Sequence, residues 1–305
     1  MTGYNGILPV WKPAGYTSHD VVAKLRRILG MKRIGHTGTL DPDVTGVLPV
    51  CLGSYTRVVE YLQEQPKQYE GALRLGVATD TEDLSGNVVE RCESVVVTER
   101  QLRDVFAAFT GTIEQVPPMY SAVKVEGKKL YELARSGITV ERKPRKVTIY
   151  ELELRSCDLS PPNPEASFRV LCSKGTYVRT LCADIGRLLG YPAAMARLVR
   201  TASGSIPIDR CITLEQIAEL HEAGRLRERF EPIERALSYL PRIDCADERA
   251  AAAALQGKKI RYDELLGAPE QDGLHILFAF GAGFIGIYEA DPDQRRITPV
   301  KVFHS

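Results

Sequence analysis

The sequence predicts an α+β fold. Three observations carry that reading. Short apolar strands and capped helices are interspersed as far as the helix expected at Thr213. A hydrophobic fraction of 44% in 305 residues supports a sizeable core, in one large domain or a medium domain with a small one. Near Leu240-Pro241 the character shifts to small strands and one short helix, so a boundary is expected there, between a main domain over 1–239 and a β-rich one over 240–305.

Taken in order, Gly6 to Val10 is a short apolar strand that ends at Lys12-Pro13. Thr17-Ser18 caps a helix with Val21, Val22, Leu25, Ile28 and Leu29 on its apolar face and Gly30 as its stop. Its other face carries Lys24, Arg26 and Arg27, followed by Lys32 and Arg33: a solvated face or a phosphate contact. Val47 to Leu52 reads as a buried strand, Tyr55 to Leu62 as helical, Tyr69 to Leu75 as a strand, and Leu84 to Asn87 as a turn into Val88-Val89. Thr98-Glu99-Arg100-Gln101 is a capping box; it opens a helix with Leu102, Val105, Phe106 and Phe109 inward, ended by Gly111. Val147 to Leu154 and Phe168 to Leu171 read as strands around a proline-rich loop. After Lys174-Gly175-Thr176 comes a helix with Val178, Leu181, Cys182, Ile185, Leu188 and Leu189 on one side, Arg179 in its first turn and Gly190 as its stop. Beyond 240, Ala250 to Leu255 is expected as a helix, and Leu277 to Tyr288 and Arg296 to Phe303 as strands.

The net charge is only +1, but its distribution is uneven. Residues 111–150 hold eight Lys and Arg against four Asp and Glu, and residues 241–305 hold eight against ten. That fits a local nucleic-acid face better than a general one, although ordinary surface variation gives the same pattern. Within Pro117 to Pro144, Lys124, Lys128, Lys129, Arg135, Arg142 and Lys143 alternate with Tyr120 and Tyr131, and a short helix is expected over Leu130 to Ser136. Stacking aromatics with phosphate-seeking cations are the ingredients of an RNA grip. Seven cysteines without a C-x-x-C pair argue against a disulfide framework or a zinc site and for a reducing compartment. The five histidines are far apart in sequence and show no metal-ligand spacing. No apolar run approaches the roughly 20 residues that span a bilayer, and no signal peptide is apparent, so a soluble cytoplasmic protein is expected.

The most heavily specified stretch runs Gly35-His36-Thr37-Gly38-Thr39-Leu40-Asp41-Pro42-Asp43-Val44-Thr45-Gly46. Glycine opens backbone conformations closed to other residues, and Asp-Pro and Thr-Gly are turn chemistry. A tight loop with Asp41 at its bend, feeding the strand that starts near Val47, follows. On these grounds alone Asp41 is either a surface-turn residue or a displayed carboxylate.

These motifs resemble the bacterial tRNA pseudouridine synthases of the TruB family. The resemblance is carried by Gly35 to Gly38, Leu40-Asp41-Pro42 and Thr45-Gly46, with Lys12-Pro13, Lys67-Gln68-Tyr69, Leu75-Gly76, Thr79-Asp80-Thr81, Pro117 to Lys124 and Ser173 to Thr180, in that family's order. It departs at Asp43-Val44, where family patterns often carry Leu-Ala. The resemblance implies a pseudouridine-synthase catalytic domain on a mixed, mostly antiparallel sheet, a thumb-like RNA-binding insertion over 117–144, and a small C-terminal module similar to a PUA domain. It implies uridine isomerisation at position 55 in the T arm of tRNA, with Asp41 as the essential carboxylate, whether it attacks the base, attacks C1′ or removes a sugar proton. Arg179 is implied as its cation, Tyr69 as a base-stacking tyrosine, Tyr177 as a pocket residue and His36 as an aid to base extrusion. Lys12, Lys124, Lys128, Lys129, Arg142, Lys143, Lys174, Lys258 and Lys259 are the expected RNA contacts. The reaction is redox-neutral, and neither cofactor nor metal is expected; the partner is the T-arm stem-loop, with no membrane and no obligate protein partner, so a monomer is expected. A non-catalytic RNA-binding or chaperone protein on the same fold is the main alternative. A carboxylate glycoside hydrolase is a second, but it needs two paired acids and Asp41 has only Asp43 near it.

Overall fold

The computed structural model describes residues 3–121, 123–125, 127–162, 164–269, 271–279 and 283–303. The chain packs as two compact units, one made of residues 1–63 with 203–305 and the other of 64–202. That division differs from a cut at 239/240, because residues 240–303 pack into the same unit as the N-terminal segment.

In the first unit, strand Gly6–Lys12 pairs antiparallel with Thr45–Leu52, from Gly6 opposite Leu52 to Lys12 opposite Gly46. The short strand Ile34–His36 also pairs with Thr45–Leu52 and was not expected. Thr45–Leu52 has apolar side chains on both faces because both are covered, the usual reason for an unbroken apolar run. Leu48, Val50 and Leu52 pack with Leu8, Val10 and the apolar stripe of helix Ser18–Leu29. Val47 and Cys51 pack with Ile7 in a second cluster. The helix begins with a Thr17–Asp20 capping box and ends at Gly30 in the left-handed conformation, φ 61°.

The second cluster continues into the C-terminal residues. It includes Val58 and Leu62 from the N-terminal segment, Leu237 and Leu240, and Ile276, Phe278, Ile287 and Phe303 from the C-terminal sheet. That sheet has the strand order Arg242–Asp244, Gly273–Phe278, Phe284–Asp291, Arg296–Val302, Ile260–Arg261. Its first pair is parallel and the rest antiparallel. Helix Glu248–Leu255, capped by Asp247, packs against it through Ala250, Ala251 and Ala254. The guanidinium of Arg57 donates to the Val302 carbonyl at 2.6 Å and lies 5.3 Å from the centre of the Phe303 ring. Lys301 donates back to the Arg57 carbonyl at 3.0 Å and pairs with Glu60.

The second unit is built on antiparallel strands Lys67–Leu75, Glu165–Cys172, Arg145–Asp158 and Gly111–Gln115, in that order. Strand Ala193–Ser203 flanks Lys67–Leu75. It was not expected: Ala, Met, Arg and Leu all favour helix, and sheet packing overrides that preference. Gly111, expected only as a helix stop, is also the first residue of strand Gly111–Gln115. Helix Glu99–Ala108 buries Leu102 and Phe106. Helix Val178–Leu189 buries Val178, Leu181, Cys182 and Ile185, but Leu188 is 58% exposed, which corrects its place in the stripe. The 117–144 segment holds a two-residue hairpin, Lys124–Val125 with Lys128–Lys129, and helix Leu130–Arg135. Arg142 donates to the Pro117 carbonyl at 3.0 Å, joining the two ends of the insertion.

Phe303 is 3% exposed and joins sheet to N-terminal segment through Tyr55, Phe284 and Arg57. Phe303→Ala is expected to destabilise the protein by about 3–5 kcal/mol. Urea unfolding followed by circular dichroism measures this; a variant as stable as the wild type contradicts a shared core.

Candidate active site

The loop that presents Asp41 is built around Lys12. Its side chain is fully buried, at 0% exposure. The ammonium donates to the carbonyls of Pro13 at 2.9 Å, Pro42 at 2.8 Å and Val44 at 2.7 Å. Two of those carbonyls lie just after Asp41 in the chain, so a cation fixes the backbone at the bend. Gly15 N–H adds a bond to the Pro42 carbonyl at 3.0 Å, and Val44 N–H closes the turn onto the Asp41 carbonyl at 3.1 Å. Upstream, Ser18 Oγ accepts from Leu40 N–H at 2.9 Å, and Thr37 N–H bonds the Pro49 carbonyl at 3.1 Å. Gly38 and Gly46, at φ 135° and 110°, occupy backbone positions that side chains rarely adopt. Asp41 is half-buried, and Pro42 and Asp43 are exposed. His36 is half-buried, and its Nδ1 accepts from Gly38 N–H at 3.3 Å. Lys12 therefore corrects an expectation: an ammonium buried on carbonyls is a clamp for the loop, not a phosphate contact.

In the other unit, Arg179 is 5% exposed in the first turn of helix Val178–Leu189. Its Nη1 donates to the Thr81 carbonyl at 2.7 Å and its Nη2 to the Tyr120 carbonyl at 2.8 Å. Its Nε lies 3.9 Å from the Asp83 carboxylate. Tyr177, the N-cap of the helix, is held by a reciprocal pair with Gln115: its N–H donates to Oε1 at 3.0 Å and its carbonyl accepts from Nε2 at 3.2 Å. The 79–87 segment is itself fixed. The Asp83 carboxylate accepts from Thr81 Oγ1 at 2.8 Å and Ser85 N–H at 3.0 Å, and Asp80 accepts from Asn87 N–H at 2.8 Å.

Tyr69 is on strand Lys67–Leu75, 9% exposed. Lys67, two residues earlier and therefore on the same face, is 6% exposed and donates to the Gln65 carbonyl at 2.6 Å. Burial, and then the nearby charge of Arg200, push the Lys67 ammonium down to about 8. Arg200 is 1% exposed. Lys67, Arg200, Gln115 and Asp83 were not among the expected site residues. Lys67 shares its motif with Tyr69, so strand alternation was an available signal; Arg200 lies on the unexpected strand and gave none.

Among the remaining expected RNA contacts, Lys174 is exposed and paired with Glu64. Lys128 and Lys143 are exposed, and Arg142 is half-buried. Lys258 and Lys259 are exposed after helix Glu248–Leu255. The side chains of Lys124 and Lys129 lie outside the described residues. The structure groups Lys12, His36 and Asp41 in one loop assembly and Tyr177 and Arg179 at one helix start. Among the described residues, no group of His, Cys, Asp and Glu is placed to hold a metal ion, and no helix is long and apolar enough to cross a membrane.

Comparison with known proteins places this α+β chain among the pseudouridine synthases. The pattern of the TruB family pseudouridylate synthase N-terminal domain matches residues 26–178, and that of the tRNA pseudouridylate synthase B C-terminal domain matches 179–238. The chain is 47% identical to tRNA pseudouridine synthase B of Geobacillus thermodenitrificans, over 98% of this chain and 99% of that protein. It is 50% identical to the protein of the same name from Bacillus licheniformis, over 87% of this chain and 84% of that one. Among solved structures it superposes on a chain of a Cbf5-Nop10-Gar1 complex with a TM-score of 0.74 at 30% identity, over 98% of this chain and 84% of that one. It superposes equally well on a chain of an H/ACA RNP bound to a substrate RNA containing 2′-deoxyuridine, with a TM-score of 0.74 at 27% identity, covering 98% and 85%. The chain belongs to the TruB family of pseudouridylate synthases.

Two predictions follow the buried lysines. Lys12→Met removes the ammonium from three carbonyls, of which that of Pro42 keeps the Gly15 N–H, so a stability loss of about 1–3 kcal/mol is expected in urea unfolding; unchanged stability contradicts the clamp. For Lys67, the unfolded chain holds its proton up to the ordinary 10.5, whereas the folded state releases it from about 8. The unfolded state then binds more protons inside that window, and stability rises with pH there. Lys67→Met is expected to remove this rise, read from unfolding midpoints between pH 8 and 10.5; a rise that survives belongs to another group.

Proposed function

We propose that the protein isomerises uridine to pseudouridine in tRNA, at position 55 of the T arm, with Asp41 as the essential carboxylate. The observation that carries the reading is the Asp41 loop, whose backbone is fixed on both sides of the bend by buried groups while Asp41 itself is left half-buried. The tRNA substrate is supported by relatives named tRNA pseudouridine synthase B over nearly the whole chain. The N1–C1′ bond of the target uridine is broken, the base turns, C5 is joined to C1′, and the proton lost from C5 is balanced by one gained at N1. A base in a folded loop has to leave its stack for this. Tyr69 is proposed to stack on the extruded base, with Tyr177 lining the pocket and His36 aiding extrusion. Arg179 is proposed as the cation that keeps the carboxylate ionised, since a guanidinium stays charged when buried.

The insertion over 117–144 is proposed as an RNA-closing thumb, with Lys124, Lys128, Lys129, Arg142, Lys143 and Lys174 as phosphate contacts. The sheet and helix beyond residue 240 are proposed as a PUA-like RNA-binding module that uses Lys258 and Lys259. A main domain over 1–239 and a module over 240–305 is then a division by role, not by packing. The protein is proposed to act in the cytoplasm as a monomer, with no cofactor.

Incubation with a T-arm transcript, followed by a pseudouridine-specific chemical label, tests the activity. Asp41→Asn keeps size but removes charge, and turnover should be lost while RNA affinity stays within a few-fold of wild type. Arg179→Lys keeps charge but loses the two-pronged fork, and most activity should be lost in a folded protein. Wild-type turnover in either variant overturns the role given to that residue.

A further inference from the structure

Glu82 stands out on the backbone. Its φ is 64°, and among the described residues only Arg295 shares a left-handed conformation without being glycine. A long side chain is uncommon there, and such a conformation persists only where the surroundings over-determine it. The surroundings here are specific. The Glu82 N–H bonds the Thr79 carbonyl at 3.3 Å, and its own carbonyl accepts from Met195 N–H at 3.0 Å. Leu84 N–H bonds the Met195 carbonyl at 3.1 Å. The backbone is therefore tied on both sides without help from the side chain.

What the side chain adds is a link to the helix that carries Arg179. Its carboxylate accepts from Thr180 Oγ1 at 2.5 Å. Thr180 is 4% exposed and follows Arg179 in sequence. Three consecutive residues of the turn thus address two consecutive residues of the helix. Thr81 offers its carbonyl to Arg179, Glu82 its carboxylate to Thr180, and Asp83 its carboxylate to Arg179. Burial raises the proton affinity of Glu82, opposed by the Thr180 hydroxyl and the Arg179 charge; Asp184 and Arg142 are the other charged groups around it.

We infer that Glu82 is a positioning residue for Arg179: its contact with Thr180 staples the left-handed turn to the helix start and so aims the Thr81 carbonyl and the Asp83 carboxylate at the guanidinium. The inference rests on the pseudouridine-synthase reading of the site. Sequence carried no sign of it, because Glu82 lies in a polar turn and touches the helix only in the fold. The staple needs an acceptor at the end of the Glu82 side chain, and an amide oxygen supplies one as well as a carboxylate does.

Three variants test this by single-turnover rate at saturating RNA, with RNA affinity and thermal midpoint measured alongside. Glu82→Gly suits the backbone and removes the staple; the saturated rate should fall about 100-fold from misplaced geometry, with RNA affinity unchanged and no loss of thermal midpoint. Glu82→Gln keeps an acceptor and should stay near the wild-type rate. Thr180→Val should be as slow as Glu82→Gly, and the double variant no slower than either, because both remove one contact. A wild-type rate in Glu82→Gly or Thr180→Val overturns the inference. So does a Gln variant as slow as the Gly variant, since charge and not the contact would then be at work. If Glu82→Gly fails to fold, Thr180→Val decides. A wild-type protein that forms no pseudouridine in any uridine-containing RNA overturns the underlying reading instead.

Discussion

The ammonium of Lys12 is the interaction on which the candidate site depends. A charge buried without partners costs several kcal/mol, so a fully buried lysine forces its surroundings to supply acceptors. Here the acceptors are backbone carbonyls, two of them from residues 42 and 44. Satisfying the lysine and shaping the loop are therefore one event. The antiparallel register that places Lys12 opposite Gly46 brings the cation to the loop's exit. The two-sided burial of Thr45–Leu52 then leaves that strand no freedom to slip, because a shift of one residue would exchange its two apolar faces and misplace Lys12.

Arg179 is held by a different means. It is buried at the start of its helix, and carbonyls from two separate segments, at Thr81 and Tyr120, receive its donors. Lysine, a point charge, draws a loop around itself; arginine, a planar fork, has its orientation fixed by acceptors set in its plane. The Tyr120 acceptor belongs to the insertion over 117–144, and Gln115, just before that insertion, holds the N-cap residue Tyr177. Displacement of the insertion's base would thus reach the helix start directly.

The main strands, capped helices and their glycine stops were legible from apolar period and cap chemistry. Ser18–Leu29 and Val178–Leu189 match their expected starts and stops to within a residue. Strand Ala193–Ser203 was not legible, because its residues prefer helix and only its sheet neighbours decide otherwise. Of the site, the Asp41 loop could be read from glycine, proline and aspartate in one short stretch. The reversal of Lys12 from surface grip to buried clamp could not, since a lysine beside a proline carries no mark of burial. Nor could the contacts of Glu82, whose partner is 98 residues away.

One unit is assembled from two separate stretches, residues 1–63 and 203–305, whereas the other is a single stretch, 64–202. This sets an order of events during synthesis. The middle stretch is able to collapse as soon as it leaves the ribosome. Residues 1–63, with the Asp41 loop among them, wait for partners made later: Ile7 bridges to Glu231, and Arg57 bonds the carbonyl of Val302, 245 residues on. Such distant closures are slow, because chain entropy is lost before contact is gained. Until those partners emerge, the face of Gly6–Lys12 and Thr45–Leu52 that carries Ile7, Val47 and Cys51 lacks its cover, although the opposite face already has helix Ser18–Leu29, and the nascent chain is most exposed to aggregation in that interval.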